Sequence, residues 1–267
     1  MPEGHTVHRI ASAFELEFLN QAVSVDSPQG RFAASAKLIS GKKLLKATAV
    51  GKQMFLHFEG NRIVRIHLGI YGKYHWEQGD IKAFLKQPVK GEVRVRFYTS
   101  KTLTELRGPT VCEVIDQQQM DQVLKRLGPD PLNPDNGSER QRFIDNIKKS
   151  KTAIGLLLMD QKIVSGIGNV YRAEMLFRAG INPYLAGNLL SEEQLHELWD
   201  DSVALLKVGV KTGFMITRDE LFEENPTKED RNFVYKRQGQ PCRVCSTKVS
   251  LAIEAGRKLY WCSKCQK

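Results

Sequence analysis

The sequence predicts an α+β protein of several domains: an antiparallel β-sandwich, then a helical domain, then a small cysteine-rich module. Three observations support this order. Short runs of alternating apolar and polar residues fill the first 125 positions. From about position 138 the apolar residues recur at helical spacing. Four of the last 26 residues are cysteines, arranged as two Cys-x-x-Cys pairs.

Length and composition are those of an ordinary globular protein. The 267 residues are enough for roughly two domains at about 150 residues each. The chain has 41% hydrophobic and 26% charged residues, and this composition excludes a disordered chain, a collagen-like fibre and a coiled coil. No apolar run is long enough to span a bilayer, and the N-terminus lacks a signal-peptide pattern. We therefore expect a cytoplasmic protein with no membrane partner.

Residues 1–125 are expected to form the sandwich domain. An early stretch at 7–19 has helical spacing, with Val7, Phe14 and Phe18 on one face. The strand-like runs that follow are separated by Gly-Asn and Gly-Asp turns, which is typical of an antiparallel sandwich or barrel. The clearest of these runs lie at 52–58, 63–67 and 93–98.

Residues 126–137 are rich in Pro, Gly and Asp, so we interpret them as a linker. The helical region at 138–231 contains two candidate capping boxes, which begin at Ser138 and Ser191. The second should open a helix that continues through Leu205. Two buried helices are expected at 154–159 and 170–179.

The cysteine pairs predict one structural zinc ion held by four thiolates. Sixteen residues separate the two pairs, a spacing typical of zinc ribbons and fingers. Redox pairs or disulfides are the alternative, but a reducing cytosol disfavours disulfides. Cys112 is left over, and we interpret it as a small buried apolar residue rather than a nucleophile. The predicted ligands are Cys242, Cys245, Cys262 and Cys265.

The charge of the chain favours a polyanionic partner. Forty Lys and Arg residues against thirty Asp and Glu give a net charge of +10. Nucleic acid is the usual partner of such a surface, and a basic surface kept for solubility is the alternative.

Four separated motifs occur along the chain: Met-Pro-Glu-Gly at 1–4, Gly51-Lys52 before a strand, Gly-Ile-Gly-Asn-Val-Tyr at 166–171, and a C-terminal finger with Gly256-Arg257 and Trp261-Cys262. Together they resemble the motifs of the formamidopyrimidine-DNA glycosylase / endonuclease VIII family. The opening Pro-Glu-Gly-His-Thr and the ending Tyr-Trp-Cys-x-x-Cys-Gln are most similar to the actinobacterial endonuclease VIII-like branch of that family. The resemblance implies a catalytic N-terminal sandwich, a helix–two-turn–helix domain at 138–231 and a zinc finger at 232–267. It also implies a monomeric bacterial enzyme that binds damaged double-stranded DNA and associates with the nucleoid through it.

The family resemblance implies a bifunctional DNA glycosylase/AP lyase. Removal of Met1 would expose the amine of Pro2, and an α-amino group has a pKa of about 7.7–8.0, against about 10.4 for lysine. The amine would attack C1′ of an oxidised nucleotide, form a Schiff base and cleave the strand by β,δ-elimination. Glu3 would act as the acid and base. Lys52 would contact phosphate and donate a proton to the departing base.

Other residues are expected to bind DNA. Asn169 stands at a helix N-terminus, whose backbone N–H groups suit a phosphate site, a plain N-cap or both. The family resemblance implies that Arg257 grips phosphates. The loop at 67–72 resembles the family loop that supplies the wedge, which fills the gap left by the flipped nucleotide. Ile70 and Tyr71 are the wedge candidates. For Ile70 the alternative is core packing at a strand end. His67, in the same loop, is a candidate for a phosphate contact.

The expected substrates are oxidised pyrimidines and ring-opened purines rather than 8-oxoguanine. The formamidopyrimidine branch uses an Arg and a Phe on a neighbouring loop, whereas here Arg107 is present and no Phe follows it. Two other classes stay open at this point. One is a non-catalytic zinc-dependent DNA-binding protein that keeps the fold, and the other is an RNA-binding zinc protein of the ribosome.

Overall fold

The computed structural model describes residues 2–267 and divides into two compact units. The first unit contains Val7–Arg126 together with Pro2, and the second contains Glu3–Thr6 together with Leu127–Lys267. Met1, whose removal the sequence leads us to expect, lies outside the described residues. Among the described helices, none is long and apolar enough to cross a membrane.

The first unit is built from strands β1–β8 and four helices, the first of which starts in Glu3–Thr6 of the second unit. The strands are β1 Ala22–Asp26, β2 Lys42–Val50, β3 Gln53–Phe58, β4 Arg62–His67, β5 Lys73–Gln78, β6 Val93–Tyr98, β7 Thr102–Arg107 and β8 Val111–Ile115. The helices are α1 Gly4–Phe18, α2 Ala33–Ile39, α3 Ile81–Leu85 and α4 Gln117–Leu124.

The eight strands are antiparallel and form a sandwich, as predicted. Their order is β5-β7-β6-β1-β2-β3-β4-β8, and β1 joins β2 at only two registered positions. The strands on either side of this short junction contribute to one apolar core. Within that core the Phe58 ring of β3 stacks on the Phe97 ring of β6, with 6.5 Å between centroids. Such facing side chains are what two packed sheets provide.

Helix α1 fills the same core. Its Phe14 ring makes edge contacts with Tyr74, Trp76 and Phe97, at centroid distances of 5.6, 5.4 and 5.4 Å. The helical spacing that predicted this face is therefore confirmed, although the helix begins three residues earlier than expected, at Gly4. The three predicted strands are also confirmed to within one residue at each end.

The second unit is mainly helical and ends in a hairpin. Its helices are α5 Ser138–Lys148, α6 Ile154–Leu157, α7 Asn169–Arg178 and α8 Glu192–Thr212, with single 3-10 turns at Gly187–Leu189 and Asp219–Leu221. Strands β9 Ser250–Glu254 and β10 Arg257–Trp261 pair antiparallel. One apolar core joins the helices, and its largest members include Tyr171, Phe143 and Trp199. A smaller cluster packs Ala173 and Phe177 of α7 against the cysteine-rich segment.

Of the two predicted capping boxes, one is correct and one is wrong. The Ser191 hydroxyl accepts a hydrogen bond from the Gln194 N–H, and the Gln194 side chain accepts one from the Ser191 N–H. At α5 the N-cap is Gly137, with φ of 99°, and no side chain of the box caps the helix. Instead the Asp135 carboxylate accepts hydrogen bonds from the backbone N–H groups of Gly137, Glu139 and Arg140. A carboxylate placed just before the helix reaches these donors and favours the positive helix end, so the Ser138 hydroxyl is not needed.

Two helix lengths also differ from expectation. Helix α6 stops at Leu157, two residues before the predicted end, and spans only four residues. Helix α8 continues beyond Leu205 to Thr212 and ends on Gly213, which has φ of 79°. Glycine commonly ends helices in this left-handed conformation, so Gly213 is the signal that marks the true end.

Candidate functional site

The N-terminus of α7 is capped by a residue from the other end of the chain. Glu3 is 0% exposed, and its carboxylate accepts hydrogen bonds from the N–H groups of Gly168 at 2.8 Å and Val170 at 2.9 Å. The N–H of Tyr171 makes a longer contact of 3.5 Å. The first N–H groups of a helix lack intrahelical partners and lie at its positive end. They therefore hold the Glu3 carboxylate in one orientation.

Glycines make this close approach possible. The N–H of Gly4 donates to the carbonyl of Gly166 at 2.8 Å, and a Cβ on Gly4 would lie 2.9 Å from the Gly166 Cα. A Cβ on Gly168 would lie 2.4 Å from the Glu3 Cδ, which is shorter than any real contact. The Pro-Glu-Gly and Gly-Ile-Gly motifs, far apart in the sequence, therefore fit against each other as one structure.

The capping by Glu3 corrects the expected role of the α7 backbone. We expected its N–H groups to bind phosphate, with Asn169 as the alternative N-cap. The N-cap is Gly168, and the N–H groups of Gly168 and Val170 already bind the Glu3 carboxylate. A helix end that holds one carboxylate on these donors cannot offer them to a phosphate.

Asn169 itself is nearly buried and has protein partners at both ends of its amide. Its Nδ2 donates to the carbonyl of Lys258 at 2.9 Å, and its Oδ1 accepts from the guanidinium of Arg172. An amide nitrogen carries two N–H donors, so Asn169 can keep both of these partners and still donate to a phosphate.

Arg257 lies beside this group, on the first position of β10. The turn before it has positive φ at Ala255 and Gly256, 47° and 73°, which is the geometry of a type I′ hairpin. Arg257 is exposed, and its charge acts on Arg172 strongly enough to lower the pKa of that residue. The next residue, Lys258, is the one whose carbonyl holds Asn169. The hairpin therefore brings Arg257 next to Asn169, as a shared phosphate surface requires.

The four predicted zinc ligands converge at the base of this hairpin. Their Sγ atoms all lie within 4.8 Å of one another, and the pairs Cys242–Cys265 and Cys245–Cys262 are 3.9 and 3.4 Å apart. Zn–S bonds of about 2.3 Å in a tetrahedron place the sulfurs about 3.8 Å apart. The distances are far too long for disulfides, and all four cysteines are free. The donor set therefore fits one zinc ion in a closed structural site.

Two charged residues of α7 were not singled out from the sequence, and both are buried. The Glu174 carboxylate accepts hydrogen bonds from the Thr217 hydroxyl at 2.6 Å and from the N–H groups of Phe233, Val234 and Tyr235, all within 2.9 Å. Burial raises the pKa of Glu174 above its usual value. Glu174 thus ties α7 to the segment that enters the cysteine module. The signal in the sequence is a charged residue among the apolar residues of a buried helix.

The second buried residue, Arg172, stands three positions after Asn169. Its guanidinium reaches the carbonyl of Gly155 at 3.3 Å and that of Lys258 at 3.1 Å, in addition to the Asn169 side chain. Burial, and then the charge of Arg257, lower the pKa of Arg172 to about 10.

In the first unit, Lys52 and His67 meet at one end of the sandwich. Gly51 and Lys52 form the two-residue turn between β2 and β3, and Gly51 has φ of 58°, as a type II′ turn requires. The next residue, Gln53, pairs with His67 at the end of β4. Burial, then the charges of Lys52 and Arg65, lower the pKa of His67. His67 is therefore neutral at pH 7 in the free protein.

The wedge candidates lie on the loop after β4 and are exposed. Ile70 is 54% exposed and Tyr71 is 81% exposed, so core packing of a strand end, the alternative for Ile70, is excluded. The loop packs closely on the turn after β7: a Cβ on Gly108 would lie 3.3 Å from the Tyr71 carbonyl oxygen. Two large apolar side chains are thus presented to solvent from a well-supported loop.

Arg107 is not presented to solvent in the same way. Its guanidinium pairs with Glu105, which also pairs with Arg96 at 2.8 Å, and it donates to the carbonyl of Lys90. These residues line a cavity of about 500 Å³ on the face of β5–β7 that carries α3. A DNA contact by Arg107 would require it to exchange these partners.

Cys112 packs against the sandwich core, and burial raises the pKa of its thiol to about 12. Such a thiol stays protonated at neutral pH and is a poor nucleophile.

Two of the tryptophans pack inside the protein: Trp199 lies in the helical core, and Trp76 packs on Phe18.

Comparison with known proteins matches the whole chain. Three family models cover residues 1–118, 127–220 and 239–267, described as the formamidopyrimidine-DNA glycosylase N-terminal domain, its H2TH domain, and a zinc finger found in FPG and IleRS. "Endonuclease 8 1" of Mycobacterium tuberculosis is 43% identical over 270 residues, covering 100% of both chains. The formamidopyrimidine-DNA glycosylase of Bacillus licheniformis is 29% identical, covering 87% of this chain and 84% of its own.

Solved structures show the same fold. The Fpg protein of Lactococcus lactis, in complex with DNA containing N7-benzyl-Fapy-dG, superimposes with a TM-score of 0.82 at 23% identity over 100% of both chains. A second complex of that protein, with DNA containing an abasic site, gives a TM-score of 0.81 over 99% of both chains.

Proposed function

The chain belongs to the formamidopyrimidine-DNA glycosylase and endonuclease 8 family of DNA glycosylase/AP lyase enzymes, and on that premise we propose how its own residues carry out base-excision repair. The observation that carries the proposal is the Glu3 carboxylate, fully buried and held on the backbone of α7. A terminal glutamate with no function would be solvated. Here two glycine motifs are shaped around it.

Pro2 is the proposed nucleophile. Once Met1 is removed, the secondary amine of Pro2 attacks C1′ of the damaged nucleotide, and the glycosidic bond breaks with its electron pair leaving on the base. The sugar ring then opens: the C1′–O4′ bond breaks, O4′ takes up a proton, and the nitrogen lone pair forms a positively charged iminium between Pro2 and C1′. The iminium acidifies the C2′ proton, and loss of that proton expels the 3′ phosphate. A second elimination expels the 5′ phosphate, and hydrolysis of the iminium then restores the amine.

Glu3 is the proposed proton carrier. As a carboxylate that accepts backbone hydrogen bonds, Glu3 must take up a proton before it can give one. The adjacent Pro2 ammonium can supply that proton, and this transfer also frees the amine for attack. Glu3 can then protonate the sugar ring oxygen, which assists ring opening, and serve the later eliminations as a base.

The proposed partner is damaged double-stranded DNA, bound by a monomer in a bacterial cytoplasm and, through DNA, at the nucleoid. Support comes from the net charge of +10 and from the DNA complexes of the Lactococcus lactis protein. In this proposal Lys52, His67, Arg107, Asn169 and Arg257 contact DNA, and Ile70 and Tyr71 enter the gap left by the flipped nucleotide. Zinc holds the finger that carries Arg257 and takes no part in the chemistry.

The proposed substrates are oxidised pyrimidines and ring-opened purines. The formamidopyrimidine glycosylases among the relatives support the ring-opened purines. Gly108 and Pro109 follow Arg107, where the formamidopyrimidine branch has a phenylalanine, so strict 8-oxoguanine recognition is not expected.

Borohydride trapping tests the proposal directly. We expect the processed protein, incubated with abasic or lesion-bearing duplex, to form a covalent adduct that maps to the N-terminal peptide beginning at Pro2. A protein that retains Met1 should form none while keeping its zinc and its fold. An adduct on Lys52 would overturn Pro2 as the nucleophile. Absence of any adduct from processed protein would favour the non-catalytic DNA-binding alternative.

A further inference from the structure

Arg172 is a buried cation without an anionic partner in the part of the chain that the structure describes. It is 1% exposed, and its acceptors are two backbone carbonyls and the Asn169 amide oxygen. Its Nε is buried and has no hydrogen-bond partner among residues 2–267. A buried charge normally has a counterion, because the cost of removing it from water is several kcal/mol.

The geometry shows what the guanidinium does. One terminal nitrogen, Nη2, donates both to the Asn169 Oδ1 and to the carbonyl of Lys258. The Asn169 Nδ2 donates to that same carbonyl. The three groups form a closed triangle that fixes which end of the amide faces Arg172. The triangle also joins the first residue of α7 to the strand that begins with Arg257.

Charges of both signs act on this group. Burial and then the charge of Arg257 lower the pKa of Arg172, whereas the carboxylates of Glu3 and Glu254 raise it. A nearby pair of cations is costly in the free protein and becomes favourable when an anion binds. A DNA phosphate is such an anion, and a charge-assisted contact with it would offset this cost.

We propose that Arg172 is a positioning residue for phosphate binding: its guanidinium holds the Asn169 side chain and the Lys258 carbonyl in one arrangement, so that Asn169 and Arg257 meet the backbone phosphates of DNA together. The proposal rests on the proposed function, in which these two residues contact DNA. It adds the residue that makes them act as a unit.

The test measures binding to a duplex that carries a tetrahydrofuran abasic-site analogue, over a series of salt concentrations. Arg172→Met removes both the charge and the planar guanidinium that donates to several acceptors. Arg172→Lys keeps the charge and loses the guanidinium geometry. The matched control is Arg178→Lys on the same helix, because Arg178 is half-buried but paired with Asp201 and Asp219. Zinc content and melting temperature are recorded for every variant.

We expect both Arg172 variants to bind at least about tenfold more weakly at one salt concentration, with zinc retained. Arg172→Lys should resemble Arg172→Met, because position rather than charge alone is lost. Arg178→Lys should lower the melting temperature and leave affinity unchanged. In a double-mutant cycle, Arg257→Ala should weaken DNA binding by a much smaller factor in the Arg172→Met protein than in the wild type.

Additive losses in the cycle, or wild-type affinity in both Arg172 variants, would overturn the proposal. Wild-type affinity in Arg172→Lys alone would also overturn it, because the charge of residue 172 would then be sufficient for binding. These results leave the proposed function standing if the wild type forms the trapped adduct and Arg257→Ala weakens binding and lowers the salt slope by about one unit. An unchanged salt slope in Arg257→Ala would overturn the phosphate contact itself, and the role of Arg172 with it.

Discussion

The carboxylate of Glu3 accepts a hydrogen bond from the N–H of Gly168 at 2.8 Å, although the two residues are 165 positions apart. A side chain on Gly168 would begin 2.4 Å from the Glu3 Cδ. The glycine therefore serves two purposes: it supplies a donor to the carboxylate and leaves room for it. The proposed acid/base residue is held by backbone N–H groups of the second unit.

Gly168→Ala should impair chemistry more than binding. Its φ of −128° and ψ of −158° suit alanine, so the expected effect is the collision with Glu3 rather than backbone strain. We expect single-turnover base excision to fall by about 10² or more, the scale of a lost acid/base group. Affinity for the tetrahydrofuran duplex should change little.

The control for this variant is Gly30→Ala. A Cβ there meets nothing within 4 Å, although the φ of +82° makes it mildly unfavourable. It should lose some stability and keep wild-type excision. Equal excision by Gly168→Ala and Gly30→Ala would show that the position of Glu3 does not limit the reaction.

DNA binding should take up a proton at His67. Burial and neighbouring cations lower the pKa of His67 in the free protein, so it is neutral near pH 7. A bound phosphate favours the protonated form and raises that pKa. Affinity at constant salt should therefore increase as the pH falls from about 7 to about 6, and His67→Gln should reduce this dependence.

His57→Gln is the matched control for the pH experiment. His57 lies in the same sheet, and burial followed by the charge of Lys46 lowers its pKa as well. It should leave the pH dependence of binding intact. If His67→Gln binds with the same pH dependence as the wild type, His67 does not contact phosphate.

Tyr71→Ala should separate base flipping from binding. Unstacking a base costs a few kcal/mol, and a smaller wedge fills less of the gap. Excision of a lesion from duplex should fall by roughly tenfold or more, whereas cleavage at a preformed abasic site should fall less. Leu16→Ala is the control, because Leu16 is similarly exposed, at 82%, on α1. Equal losses on the two substrates would indicate a general loss of binding rather than a wedge.

Native protein should contain one zinc ion per chain. Cys245→Ser removes one of the four thiolates, so zinc content should fall well below one, and DNA affinity should fall with it because the Arg257 hairpin lies between the cysteine pairs. Cys112→Ser should keep both zinc and affinity. Metal analysis by mass spectrometry and a gel-shift titration measure these outcomes, and stoichiometric zinc in Cys245→Ser would contradict the assignment.

Local sequence pattern was enough to predict much of the fold. Alternation predicted strands at 52–58 and 63–67, which match β3 and β4 to within one residue, and helical spacing predicted the face of α1 that carries Phe14 and Phe18. The cap at α5 was mispredicted because Asp135, three residues before the predicted Ser138, accepts the hydrogen bonds of the helix N-terminus. Which of them reaches the helix donors depends on the path of the preceding loop.

The sequence by itself determined the chemical inventory of this protein: a Pro-Glu terminus, a thiolate set at zinc-finger spacing and an excess of positive charge. These features depend on residue type and on short spacings, which are local properties of the chain. Only the tertiary structure decided that Glu3 occupies the N–H groups expected to bind phosphate, and that the Asn169 amide is held by Arg172 and the Lys258 carbonyl. The hydrogen bonds of Glu3 with Gly168 and Val170, and of Lys258 with Asn169 and Arg172, join residues 86 to 167 positions apart. Hydrogen bonds at such separations are set by how the folded segments pack, not by the propensities of the segments.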